Sequence, residues 1–176
     1  QSELIGQLFV ASGRDQEMIL SKGDDGAIIE PTFELMERYA QSENIDIFAF
    51  DPLANMTEAP ETNDAFRRLG KRLSIMADRL NCSIELVHHT RKLNGNEASV
   101  EDSRGGSALI GAVRAGRALN PMTAEEAAKA GLDSHIDYFR IEAAGKNNLS
   151  RSAPHSTWYQ RVGVDLANGD QVASIE

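Results

Sequence analysis

Two stretches in the first half of the chain have the spacing of apolar residues that is typical of amphipathic helices. Residues 30–43 begin near Pro31, which suits a first helical turn, and their apolar face consists of Phe33, Met36 and Ala40. In residues 63–80 the apolar face consists of Phe66, Leu69, Leu73, Met76, Ala77 and Leu80. Mostly opposite it are basic residues that we expect to form a solvated face, namely Arg67, Arg68, Lys71, Arg72 and Arg79. The pattern predicts two helices, each with one buried face.

Two short apolar runs flank the second predicted helix. Residues 45–50 predict a buried strand that stops at Asp51-Pro52, because a proline has no amide hydrogen and restricts the residue before it. Residues 83–87 predict a second strand, which ends at a pair of histidines. A strand, a helix and a strand with these lengths form a βαβ unit, so we expect parallel strands joined by a right-handed crossover.

The pattern changes after the second strand. Residues 90–103 have no periodicity and predict a long surface loop, which inside a compact domain is usually functional or mobile. A short helix over 107–113 and an apolar stretch follow. Thr123 and Glu126 then have the spacing of a capping box, which begins a helix that ends at Gly131.

The carboxyl end predicts antiparallel strands, at 136–144, 157–164 and 171–175. Asn168-Gly169 has the signature of a two-residue hairpin turn. The sequence therefore predicts an α/β fold with a mostly parallel sheet flanked by helices and a C-terminal antiparallel β-hairpin region. We expect a single domain over residues 1–176, with its α/β core over 1–120 and the C-terminal helix and hairpins over 121–176.

Composition narrows the class of protein. The chain has 176 residues, of which 41% are apolar, enough for one ordinary domain with a core. Its 18 basic and 27 acidic residues give a net charge of −9, which excludes a generally basic polyanion-binding protein but allows a local basic patch. No run approaches the ~18 apolar residues of a membrane span, so we expect a cytoplasmic protein without a membrane partner. A lone cysteine, Cys82, excludes an intrachain disulfide and fits a reducing compartment.

Asp51 is the first candidate for chemistry, because the carboxyl ends of parallel strands form the crevice where α/β folds bind ligands. A carboxylate there can hold Mg²⁺ beside nucleotide phosphates, and the alternative is an Asp that only caps the following turn. His88 and His89 end the neighbouring strand, where side-chain alternation lets only one of them face the crevice. That histidine can donate to a phosphate or bind a metal, or it can be an ordinary strand-end residue. A metallohydrolase built on these residues would need further ligands, and the sequence offers none at a suitable spacing.

Three cations further along the chain are candidates for phosphate contacts. Arg104 and Arg114 lie on either side of the short helix, and Lys146 lies in a Gly-Lys-Asn-Asn turn. The guanidinium fork matches phosphate oxygens, although solvated surface cations have the same pattern. No G-x-x-x-x-G-K-[ST] motif occurs in the 176 residues, so the sequence contains no obvious cradle for β- and γ-phosphates.

Three motifs, in this order, resemble RecA-like ATPases of the RepA type, which are hexameric replicative helicases of plasmids with relatives in phages. The motifs are IFAFDPL at 47–53, LVHHTRK at 86–92 and SRGGSAL at 103–109. The resemblance continues through 121–126, 139–140, 145–148 and 158–159, and covers roughly residues 30–165. It implies a RecA-like fold, ATP and Mg²⁺ as cofactors, a homo-oligomer in the form of a hexameric ring, and single-stranded DNA as a partner.

The resemblance also implies a role for each matching residue. Asp51 resembles the Walker B aspartate that organises Mg²⁺, and His89 resembles the polar sensor of the γ-phosphate. Residues 90–103 resemble a mobile loop that lines the central channel of the ring. The residues expected to contact nucleic acid in or beside this loop are Arg91, Lys92 and Arg104. Arg114 matches the arginine finger that reaches the neighbouring subunit's nucleotide, and Lys146 resembles a second cation acting across the same interface.

In that family the P-loop and the catalytic glutamate precede the matched region. The resemblance therefore implies that this chain, which starts at Gln1, is a fragment of a longer ATPase, and we expect the isolated residues not to hydrolyse ATP. Two alternatives stay open on the same fold. One is a regulatory or recombination ATPase without unwinding activity, and the other is a non-catalytic interaction domain that has lost its nucleotide site.

Overall fold

The computed structural model describes residues 7–13, 17–91, 93, 96–103, 107–142, 147–148 and 155–176. It divides into two compact units, Gln1–His89 and Thr90–Glu176, which are called the first and the second unit below. The expectation of one domain, with a core over 1–120 and a C-terminal region over 121–176, stays a prediction. Among the described residues, no helix combines the length and the apolar character needed to cross a membrane.

The described residues of the first unit form two long helices and four short strands. The helices are α1 (Glu30–Glu43) and α2 (Asn63–Leu80). The strands are β1 (Ser21–Lys22), β2 (Ala27–Ile28), β3 (Ile47–Phe50) and β4 (Ser83–Leu86). Both helices begin and end at the predicted residues, and each ends before an asparagine in the left-handed conformation, Asn44 or Asn81.

The predicted βαβ unit is confirmed. Strands β3 and β4 pair in parallel, with Ile47 opposite Ser83 and Phe50 opposite Leu86. Helix α2 connects them and packs against α1, β2 and β4. The other short pair, β1 and β2, is antiparallel. Of the mostly parallel sheet that the sequence predicts, the described residues thus show two strands, β3 and β4.

The prediction of a buried strand over 45–50 is wrong in two respects. The strand begins at Ile47, and its residues alternate in burial rather than lying inside throughout. Phe50 is 6% exposed, whereas Ile47 is 59% exposed. Strands of a parallel sheet are apolar on both faces only where both faces are covered. In the first unit, helix α2 packs against β4 of this pair, and the alternation along β3 leaves Ile47 and Ala49 exposed on one face.

Arg72 also departs from the sequence prediction, which placed it on the solvated face of α2. Its side chain is only 11% exposed and forms ion pairs with Glu30 at 3.0 Å and Glu37 at 2.9 Å. The guanidinium carbon lies 4.3 Å from the centre of the Phe33 ring. Arg72 is therefore part of the contact between α1 and α2, because both glutamates and the phenylalanine come from α1.

The second unit is built on one antiparallel sheet, as predicted for the C-terminal region. Its strands are β5 (Ala118–Pro121), β6 (Tyr138–Glu142), β7 (Thr157–Asp165) and β8 (Gln171–Ile175), in that order across the sheet. Its helices are α3 (Ser107–Ala112) and α4 (Ala124–Ala130). The capping box is confirmed, since Thr123 and Glu126 satisfy each other's backbone N–H groups and Gly131 ends α4 at a φ of 72°.

The turn between β7 and β8 is longer than the sequence predicts. The N–H of Leu166 donates to the carbonyl of Asp170 at 2.7 Å, and that of Gly169 donates to the carbonyl of Leu166 at 3.0 Å. Three residues therefore separate this last pair. A two-residue turn of the Asn-Gly type needs a positive φ at both central residues. Gly169 has a φ of 86°, but Asn168 is not among the described residues with a positive φ.

Candidate functional site

Asp51 lies one residue beyond β3, at the carboxyl end of the parallel pair. The two strands stay joined there, because the N–H of Val87 donates to the carbonyl of Phe50 at 2.9 Å. The N–H of Leu53 then donates to the carbonyl of Val87 at 2.8 Å. The Asp51 side chain is exposed and forms no ion pair with any described residue. The backbone hydrogen bonds thus fix the position of Asp51 at the carboxyl end of β3, and its carboxylate is accessible to a cation.

The two histidines after β4 have different surroundings. His88 is half-buried, and its ring lies edge-on to Phe66 of α2, with 5.5 Å between the ring centres. His89 is exposed. Both follow the strand that pairs with β3, so they lie near the same edge as Asp51. His88 is thus partly used in packing against α2, and His89 is the more accessible of the two.

Arg114 follows α3 in the second unit, and its side chain is exposed. Its carbonyl accepts a hydrogen bond from the N–H of Asn148 at 3.0 Å, and the next residue, Ala115, forms an antiparallel bridge with Asn147. Lys146 lies outside the described residues. Arg114 is therefore the one of the two predicted interface cations whose surroundings the structure shows.

The described part of the 90–103 loop is closed at its base. Thr90 and Ser103 form an antiparallel bridge. The Arg91 guanidinium donates to Oδ1 of Asp102 through Nε at 3.0 Å and Nη2 at 2.6 Å. The backbone N–H of Ser99 and the Arg91 guanidinium lower the pKa of Asp102 to about 2. Lys92 and Arg104, which were predicted to contact nucleic acid together with Arg91, lie outside the described residues.

A family model described as an AAA domain matches residues 3–95, more than half of the chain. The chain belongs to the AAA domain family. No curated protein matches it. The AAA domain match covers β3, α2 and β4 and therefore includes Asp51 and His89, whereas Arg114 and Lys146 lie beyond it. An ATPase-type domain with general use of nucleotide and Mg²⁺ is the coarse assignment that this family supports.

Beyond the AAA domain match, two buried polar residues hold the 90–103 loop, and sequence analysis gave them no such role. Asn120 on β5 is 3% exposed, and its side-chain amide accepts from the N–H of Ala98 at 2.7 Å and donates to its carbonyl at 2.8 Å. The side-chain amide of Asn120 therefore pairs with the backbone N–H and carbonyl of Ala98 as the backbone of a neighbouring strand would. A signal was present, since Asn120 alternates with exposed neighbours in a strand whose other inward residue is Ala118.

Arg140 on β6 is the second such residue. Its side chain is 7% exposed and forms ion pairs with Glu97 at 2.5 Å and with Glu126 of α4. The guanidinium carbon lies 5.4 Å from the centre of the Trp158 ring on β7. Arg140 thus joins the loop, α4 and the sheet. In the sequence it stands between Phe139 and Ile141, and a charge inside an apolar strand was the available signal.

Among the described residues, no group of three or more His, Cys, Asp or Glu side chains could hold a metal ion. A divalent cation at Asp51 would therefore take its other ligands from water and from the nucleotide. Mg²⁺ commonly binds in this way, through one or two carboxylates together with waters and phosphate oxygens. The single exposed carboxylate fits that mode of binding.

Proposed function

We propose that this AAA domain chain is part of an ATP-hydrolysing motor with a RecA-like, mostly parallel sheet, of the kind found in RepA-type DNA helicases. The observation that carries the proposal is the parallel pair β3 and β4, which places an accessible carboxylate, Asp51, and an accessible imidazole, His89, at the same edge. Nucleotide phosphates bind at that edge in open α/β sheets. The AAA domain family agrees with this at the level of an ATPase-type domain.

In the proposed site, Asp51 holds Mg²⁺ through its water shell and His89 donates a hydrogen bond to the terminal phosphate. The cation supplies charge neutralisation when it is bound. The residues orient the phosphates and sense whether the terminal one is present. A phosphate-cradling motif is absent from the 176 residues, so we expect these residues alone not to turn over ATP.

The other half of the proposed site comes from a second copy of the chain in a hexameric ring. Arg114 is exposed, which suits a residue that reaches out of its own subunit. Its planar, permanently charged guanidinium matches a transferring phosphoryl group, and we propose Lys146 as a second cation acting across the same interface. Single-stranded DNA would bind in the central channel through Arg91, Lys92 and Arg104.

The experiment that tests this proposal is subunit mixing, with the protein as its gene encodes it. We expect Asp51→Asn and Arg114→Ala each to lose ATP turnover. An equimolar mixture should regain part of it, because some interfaces then combine an intact Asp51 with an intact Arg114. As a control, Asp64→Asn removes an exposed aspartate on α2 and should leave turnover unchanged.

Three results would contradict the proposal in different ways. If mixing restores nothing while both variants still assemble, Arg114 does not act between subunits. If Asp51→Asn keeps full turnover, the carboxylate does not serve the nucleotide. If the native protein neither binds nor hydrolyses MgATP, the non-catalytic interaction domain becomes the better description.

A further inference from the structure

The 90–103 loop is tied down at several points, although it has the composition of an open surface loop. At its base, the N–H of Arg91 donates to the carbonyl of Asp102 at 2.9 Å, beside the bridge between Thr90 and Ser103. Farther along, Ala98 bonds to Asn120, and Glu97 pairs with Arg140. These contacts join the loop to β5 and β6, so its described part is held against the second unit's own sheet.

The two carboxylate oxygens of Asp102 have different partners. Asp102 uses Oδ1 for the two guanidinium bonds and Oδ2 for the N–H and hydroxyl of Ser99, at 2.9 and 2.8 Å. The bonds from Ser99 therefore position the carboxylate independently of Arg91. The Asp102 side chain is 13% exposed, whereas that of Arg91 is 68% exposed. A carboxylate held by Ser99 thus binds a guanidinium that is accessible to solvent.

Carboxylate and phosphate oxygens use the same donors on a guanidinium. Where Asp102 occupies Nε and Nη2, a nucleic-acid phosphate must displace it to gain the same two-donor contact. The exchange is feasible because the guanidinium side of the pair is open to solvent, and ion pairs with a solvent-exposed partner are weak. The low pKa of Asp102 keeps the carboxylate charged throughout the neutral range, so the competition persists there.

We propose that the 90–103 loop is a latch in which Asp102 occupies Arg91 until a phosphate of single-stranded nucleic acid takes its place. The proposal rests on the nucleic-acid contact proposed above for Arg91 and adds its regulation. The loop is closed in the free protein, and binding of the polyanion releases its base. Arg140 and Asn120 hold the far side, so opening begins at the Arg91 end.

The test is binding of a fluorescently labelled oligothymidylate, followed by anisotropy at salt concentrations from about 50 to about 200 mM. We expect Asp102→Asn to bind about twofold to fivefold more tightly than the wild type, which is the range released by breaking an exposed ion pair. The slope of log K against log salt should stay close to that of the wild type, because Arg91 contacts the phosphate in both complexes, whereas Arg91→Ala should flatten it by about 0.7. Adding Arg91→Ala to Asp102→Asn should remove the gain.

Glu101→Gln is the matched control, because it removes the same charge from the exposed neighbouring residue, which makes no ion pair with a described residue. An equal gain in this control would show a general charge effect and overturn the latch. No gain in Asp102→Asn, while Arg91→Ala weakens the wild type, would overturn the latch and leave the nucleic-acid contact standing. No binding by any of these proteins would overturn both.

The Asp102→Asn substitution also weakens the bonds between residue 102 and Ser99, and this can unfold the protein. Thermal unfolding of the variant shows whether it is still folded. Ser99→Ala then decides, since it removes one of the bonds that fix the carboxylate but keeps the backbone N–H. A smaller gain in affinity that depends on Arg91 supports the latch. Unchanged affinity in a folded Ser99→Ala protein overturns it.

Discussion

The two units bury different kinds of side chain. The largest fully buried residues all lie in the first unit, namely Phe33, Leu20, Leu53, Leu69, Met76 and Ser21. Among the described residues, the second unit has fewer buried apolar side chains and two buried polar ones, Asn120 and Arg140, whereas the buried polar residue of the first unit is the small Ser21. Apolar packing is non-directional, whereas each buried polar group needs a specific partner. The first unit is therefore held mainly by apolar packing, and the second depends more on contacts between individual polar partners.

The largest expected effect is the loss of a core side chain in the first unit. Leu69→Ala removes a leucine that is 1% exposed, which should lower the free energy of unfolding by about 2–5 kcal/mol. Ile75→Ala, on the same helix but 37% exposed, should lower it by less than about 1 kcal/mol. Urea unfolding followed by circular dichroism measures both. Equal losses would show that α2 is not packed as described.

Asn120→Ala tests the contrasting polar core of the second unit. It removes both side-chain bonds to Ala98 and leaves a backbone donor and acceptor without partners, at a cost of about 1–3 kcal/mol. Asn96→Ala changes an exposed asparagine of the same loop and should cost less than about 0.5 kcal/mol. Fluorescence of Trp158, the only tryptophan, reports urea unfolding of this unit. If the two losses are alike, the buried amide does not hold the loop.

The same contrast explains which elements the sequence could predict. Helices α1 and α2 begin and end as expected because one apolar face, packed on a neighbour, dominates the stability of a helix. The apolar run at 45–50 was less informative, since it cannot tell whether one or both faces of a strand are covered. The exposed Ile47 is the consequence. Arg72 was misplaced because its partners lie on α1, and helix spacing contains no information about which helix packs alongside.

The candidate site divides in a similar way. Asp51 and the two histidines were predictable as a group, because a βαβ unit brings both strand ends to one edge whatever else surrounds it. The partner of Arg91 was not predicted, although Asp102 lies only eleven positions away. Asp102 is positioned to bind Arg91 by the turn that brings Ser99 to the same carboxylate, and the sequence does not reveal that turn. Asn120 and Arg140 were harder still, since their partners depend on how the loop folds back onto β5 and β6.

Helix capping gives a smaller, paired test of the two units. Thr123→Ala removes the hydroxyl that accepts from the N–H of Glu126 and donates to its carboxylate at the start of the seven-residue α4, which should cost about 1 kcal/mol. Thr62→Ala removes one 3.3 Å bond from α2, which has eighteen residues and a packed face, and should cost about 0.5 kcal/mol. Thr→Ser at each position keeps the hydroxyl and serves as the control. A larger loss at Thr62 would reverse the expected dependence of short helices on their caps.

The smallest expected effect is the response to acid, and it belongs to the second unit. The pKa of Asp102 is lowered from 3.8 to about 2, mainly by the N–H of Ser99 and then by Arg91. A carboxylate with a lowered pKa in the folded state stabilises that state above its ordinary pKa. This contribution should therefore be complete above about pH 4 and decline as the pH falls toward 2.

The pKa of Glu126 is also lowered, mainly by the N–H of Thr123, so α4 should contribute to the same acid response. Urea unfolding monitored by Trp158 at several pH values should show stability falling with acid, and Asp102→Asn should make the fall less steep. Glu101→Gln should leave the slope unchanged, because this exposed carboxylate pairs with no described cation. An Asp102→Asn protein with the wild-type slope would mean that Arg91 and Ser99 bind the ionised carboxylate no better than water does. In that case the second unit would owe its order to Asn120 and Arg140 rather than to the closed base of its loop.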